Sequence, residues 1–81
     1  MNHDIEFVIR LSGLDLGQVI DGLEARATAW NLTAIYLETG DAPDGFLIEE
    51  CTDAQEARRL AEHYQRILGS LIQQQTEQRD R

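Results

Sequence analysis

The sequence predicts an α+β fold: a small two-layer β-α-β-α domain with two long helices and a short sheet completed by dimerisation. Three observations carry this expectation. Residues 5–11 alternate apolar and polar side chains, two longer stretches repeat apolar residues at helical spacing, and residues 46–51 form a second short apolar run.

In the first run Ile5, Phe7, Ile9 and Leu11 fall on one side, and Glu6, Val8 and Arg10 on the other. A period of two is the mark of a strand with one face on a core. Ser12-Gly13 ends it. A helix is then expected over residues 15–39. Asp15 stands as its cap, with Gln18 three residues on as the return partner of a capping box. Leu14 and Val19 are spaced as a hydrophobic staple. The apolar stripe runs Leu16, Ile20, Leu23, Ala27, Trp30, Ala34, Leu37 and stops at Gly40. Thr33 to Glu38 also reads as a strand entering a hairpin, because it holds Thr, Ile and Tyr. The unbroken stripe favours the helix.

Residues 40–45 form a Gly/Asp/Pro loop, and residues 46–51 the second expected strand. Thr52 or Asp53 is placed to cap a second helix, with Gln55 or Glu56 at the matching box position. Ala54, Ala57, Ala61, Tyr64, Leu68 and Leu71 line one side of that helix, joined by Leu60, Ile67 and Ile72. Arg58, Arg59, Glu62 and Arg66 lie opposite, with Glu62 and Arg66 spaced as an i, i+4 ion pair. One compact domain is expected over residues 1–72, followed by a polar, glutamine-rich tail over 73–81 that frays. Short loops make the two strands parallel, and two strands alone are no stable sheet. Pairing with another copy is the expected remedy.

At 81 residues there is room for one core only. A chain this short has little stability to spare without a disulfide, a metal or a partner. Cys51 is the sole cysteine, so no internal disulfide forms, and His3 and His63 have no zinc-site spacing. No cofactor is expected. Apolar runs are too short to span a bilayer, and the start has no signal-peptide pattern, so a cytoplasmic location is expected.

Fifteen acids and seven arginines, with no lysine, leave the chain at −8. Residues 1–50 carry all of that net charge, and residues 51–81 balance to zero. Such a surface disfavours direct binding of nucleic acid or anionic lipid, and it also serves solubility alone.

Catalytic constellations are missing. Ser12 and Ser70 sit in no nucleophile motif, and the Gly13–Gly17 stretch lacks phosphate-loop spacing and a lysine. His63, beside Glu62 and Tyr64, reads as a surface histidine, because adjacent helical positions face different ways. Cys51 precedes a helix, which lowers a thiol pKa, yet it has no partner cysteine and reads as structural.

Two sets of residues stand out as interaction sites. Glu38, Asp41, Asp44, Glu49 and Glu50 form an acidic cluster around the loop. They match no calcium loop, and are expected either as solvated charge or as a docking patch for a basic partner. Ala29, Trp30, Leu32, Ile35 and Tyr36, with Ala25, give the first helix a second apolar line. A helix apolar on two sides needs cover on two sides, so these residues are the expected homodimer interface. Trp30 alone also reads simply as core. The expected function is a non-catalytic, acidic protein–protein interaction module, an adaptor or inhibitor. The alternative is a nucleic-acid mimic or antitoxin-like inhibitor of a basic protein. An enzyme subunit with a site formed across a dimer ranks third.

Overall fold

In the computed structural model, which describes residues 5–45 and 48–79, two α-helices make the fold: α1, Gly13–Thr39, and α2, Ala54–Arg79. They run antiparallel as a hairpin. The C-terminal half of α1 packs on the N-terminal half of α2, where Trp30 and Ala34 meet Ala57 and Ala61.

The α+β expectation is therefore wrong: among the described residues none is in a strand. Residues 5–11 are irregular, and their backbone groups have no hydrogen-bond partner among the described residues. An alternating pattern reports what a segment does once paired; it does not supply the neighbour. The second run does not supply it either. Of residues 46–51, the first two lie outside the described residues, and 48–51 form no strand. The backbone N–H of Glu49 donates instead to the Thr33 hydroxyl of α1 at 3.1 Å. That bond holds the connection against α1, where it acts as a strap.

The long first helix is present, and the alternative strand over Thr33–Glu38 is not. Its cap is Ser12 rather than Asp15. The Ser12 Oγ accepts from the Asp15 backbone N–H at 3.0 Å, and its own backbone is extended at φ −64°, ψ 162°. Ser12 and Asp15 are themselves spaced as cap and third residue, which puts the Asp15 carboxylate in the first turn beside the positive helix end. The staple positions shift with the cap, from Leu14 and Val19 to Leu11 and Leu16. Leu14 is consequently 75% exposed, while Leu11 and Leu16 line one groove. At the far end Gly40 is left-handed, at φ 80°, and its N–H donates to the Tyr36 carbonyl at 2.7 Å. That φ is costly for any residue with a Cβ.

Helix α2 starts with the second of the two expected boxes. Asp53 Oδ1 accepts from the Glu56 N–H at 2.8 Å, and Glu56 Oε2 accepts from the Thr52 N–H at 3.1 Å. The expected Glu62–Arg66 pair is absent among the described residues: Arg66 Nη2 lies 3.0 Å from His63 Nδ1. Residues 73–79, expected as tail, continue the helix to Arg79, with Gln73 bonded to Glu77 at 3.1 Å.

The seam is built from small side chains. Of the stripe on α1, Ile20, Ala27, Trp30 and Ala34 are buried; α2 contributes Ala57 and Ala61. Alanines let the helix backbones approach closely and leave Trp30 as the one large side chain in the central cluster, with Cys51, Leu60 and Tyr64 packed around it. Among the described residues the largest fully buried side chain is a threonine, Thr33. The molecule measures 47 × 33 × 16 Å, and 16 Å is little more than one helix diameter with side chains. A single layer has no second layer to cover its outer faces, and α1 in particular carries apolar residues on more than one side.

Candidate interaction surface

The inner face is organised by a side chain that composition alone conceals. Arg26 lies one turn before Trp30, with its guanidinium carbon 5.6 Å from the Trp30 ring centre and 5.7 Å from that of Tyr64. Its Nη1 donates to Glu49 Oε1 at 2.6 Å. A planar cation thus bridges two aromatic rings, one from each helix, and holds the connecting segment by its carboxylate. Glu49 is consequently bound twice, through its N–H to Thr33 and through its side chain to Arg26. A second exposed pair, Arg58 with Glu38, joins the start of α2 to the end of α1.

These pairs divide the acidic cluster. Glu38 and Glu49 are neutralised by arginines of the same chain. Asp41, Asp44 and Glu50 are exposed. Asp41 uses its backbone N–H to reach Thr39 Oγ1 at 3.2 Å. Among the described residues no group of three acids, histidines or cysteines is arranged to hold a metal ion.

The expected dimer residues on α1 also divide. Trp30 is 6% exposed and belongs to the chain's own core, Ala29, Leu32 and Ile35 are half-buried, and Tyr36 is exposed. Ala29 and Leu32 floor a shallow depression on α1 with Asp21, Glu24, Ala25 and Thr28. The Trp30 Nε1–H is buried with no acceptor among the described residues.

Cys51 is half-buried against the core cluster, and its Sγ donates to the Asp53 carbonyl at 3.5 Å. Desolvation raises its pKa, the Glu56 and Asp53 carboxylates raise it further, and the bond to the Asp53 backbone opposes them.

A run of exposed apolar side chains lies at the opposite end of the hairpin. Phe7 is 79% exposed, Val8 93% and Ile9 75%, with Ile5 and Leu11 also exposed. Val8, Ile9 and Leu11 border a groove floored by Leu16, Val19 and Leu23 of α1 and by Ile67 and Leu71 of α2. Sequence reasoning singled out the alternation of residues 5–11 but assigned its apolar face to an intramolecular core. It missed Arg26 and Thr33 as the residues that hold the strap. The spacing of Arg26 and Trp30 at i, i+4 was the available signal for the first; Thr33 had none, because its partner comes from an irregular segment.

No helix is long and apolar enough to cross a membrane, among the described residues. No family model, curated protein or solved structure matches the chain.

Proposed function

We propose that this chain is a non-catalytic protein–protein interaction module whose docking surface is the apolar segment 5–11 together with the groove it borders. One observation carries the reading: a run of large apolar side chains, with backbone groups unpaired among the described residues, lies in the open on a one-layer hairpin. Contiguous apolar surface of this kind marks interaction sites, and unpaired strand-forming backbone is a template for pairing with another chain. The thin core supports it, since a seam of alanines around one tryptophan leaves the isolated hairpin little margin. The acidic cluster takes a lesser part in this reading, because two of its five members are already paired within the chain.

The test is capture. Wild-type chain and a Phe7→Ser/Ile9→Ser variant are immobilised and exposed to host lysate and, separately, to pure soluble chain. Partners retained by the wild type and lost by the variant are expected. Identical retention by both would sink the proposal, and far-UV circular dichroism of the variant confirms that the helices remain.

A further inference from the structure

We infer that the occupant of this surface is a second copy of the chain, with residues 5–11 of the two copies paired as an antiparallel ribbon about a two-fold axis at Val8. This rests on the proposed docking surface and names its partner.

The segment is self-complementary in one orientation. Laid antiparallel with Val8 opposite Val8, Ile5 faces Leu11, Glu6 faces Arg10 and Phe7 faces Ile9, each pair occurring twice by symmetry. Both charged residues of the run are then matched by opposite charge on one face of the ribbon, and every pair on the other face is apolar. Directly opposed side chains lie about 4.5–5.5 Å apart at Cβ, close enough for both kinds of pair to count. A parallel alignment in register places Glu6 on Glu6 and Arg10 on Arg10, which is unfavourable. A shift by one residue places apolar side chains on the charged face.

Two features of the fold agree with this pairing. The backbone groups of residues 5–11 are unpaired among the described residues, so a ladder displaces no existing bond described there. A two-stranded ribbon alone is marginal and needs an apolar surface beneath it. The groove walled by Leu16, Val19, Leu23, Ile67 and Leu71 is such a surface, directly beside Ile9 and Leu11. The chain's net charge of −8 opposes bringing two copies together, so association is expected to tighten as added salt screens the repulsion.

Disulfide trapping reads the register. In a Cys51→Ser background, Val8→Cys is expected to form a covalent dimer on mild oxidation, because the two sulfurs meet at the axis. Val8 is almost wholly exposed, so the substitution leaves the hairpin undisturbed. Ile5→Cys is expected to stay largely uncrosslinked, since its own copy lies about 20 Å away along an antiparallel ribbon. An equimolar mixture of Ile5→Cys and Leu11→Cys chains should crosslink to each other. Sedimentation should show a dimer for the wild type. Glu6→Arg or Arg10→Glu alone should weaken it on the order of tenfold, and the two together should restore it. A wild type that sediments as a monomer overturns the ribbon, as does crosslinking of Ile5→Cys as readily as Val8→Cys. A monomer that still captures host proteins through Phe7 and Ile9 would leave the docking surface standing and remove only this partner.

Discussion

The hydroxyl of Thr33 joins two segments of the chain, donating to the Ala29 carbonyl at 2.8 Å and accepting from the Glu49 N–H at 3.1 Å. Thr33 has no solvent exposure. Replacing it with valine keeps the volume, removes both bonds and leaves the half-buried Glu49 N–H without its acceptor. A lost partner of this kind costs about 1–3 kcal/mol. Thr33→Val should therefore lower the urea midpoint substantially, and Thr33→Ser, which keeps the hydroxyl, should lower it less. An unchanged midpoint for Thr33→Val would show that the bonds do not hold the strap, and a larger loss for Thr33→Ser would assign that part to the methyl packing. The neighbouring Arg26–Glu49 pair contributes less, because both side chains keep contact with solvent, which screens their attraction.

How far the sequence could be read depended on whether a signal was local. Both helices, the Gly40 stop, the Asp53–Glu56 box and most of the inner stripe follow from spacing alone, since helix bonds and caps join residues three or four apart. The sheet did not follow, because a strand exists only with a neighbour, and alternation at Ile5–Leu11 cannot name one. The candidate site was half readable for the same reason. Phe7, Val8 and Ile9 were visible as an apolar run. That they stay uncovered depends on where residues 48–51 go, and these are held by Thr33 and Arg26 across sequence separations of 16 and 23.

The two possible caps of α1 separate cleanly by mutation. Ser12→Ala removes the acceptor for the Asp15 N–H and should cost about 1 kcal/mol. Asp15→Asn leaves that bond intact and removes only a charge near the helix start, a change of about 0.3–1 kcal/mol that fades in salt. Denaturation of both variants at low and high ionic strength checks the assignment. A salt-sensitive loss at Ser12 and a salt-insensitive one at Asp15 would reverse it.

Cys51 should be a slow nucleophile at neutral pH. Desolvation raises its pKa, with Glu56 and Asp53 adding to it, and only the thiolate reacts. For an acid whose folded pKa is raised, the neutral form is favoured by folding. The associated stability is present below the unfolded pKa and is lost as pH rises through the folded one. Iodoacetamide labelling should accordingly lag behind an unstructured cysteine peptide at pH 7, and approach it on unfolding in urea or at strongly alkaline pH. Labelling as fast as the peptide at pH 7 would mean that the thiol is not held in this environment.

Trp30 bears more of the core than any other side chain, and it also carries a flaw. It is the only tryptophan, and its neighbours in the central cluster are mainly alanines. Truncation to alanine in a packed core costs about 3–5 kcal/mol, against a total stability of roughly 4–12 kcal/mol for a chain of this length. Trp30→Ala should therefore leave little cooperative unfolding. Trp30→Phe poses the sharper question. It loses part of the ring's packing and the stronger cation–π partner for Arg26, but it also removes an Nε1–H that is buried without an acceptor among the described residues. An unmet buried donor costs about 1–3 kcal/mol, comparable to the packing lost. Chemical denaturation followed by far-UV circular dichroism, which needs no tryptophan signal, should place Trp30→Phe within about 1 kcal/mol of the wild type. A loss as large as that of Trp30→Ala would mean that the Nε1–H is bonded after all, through an ordered water or a partner chain.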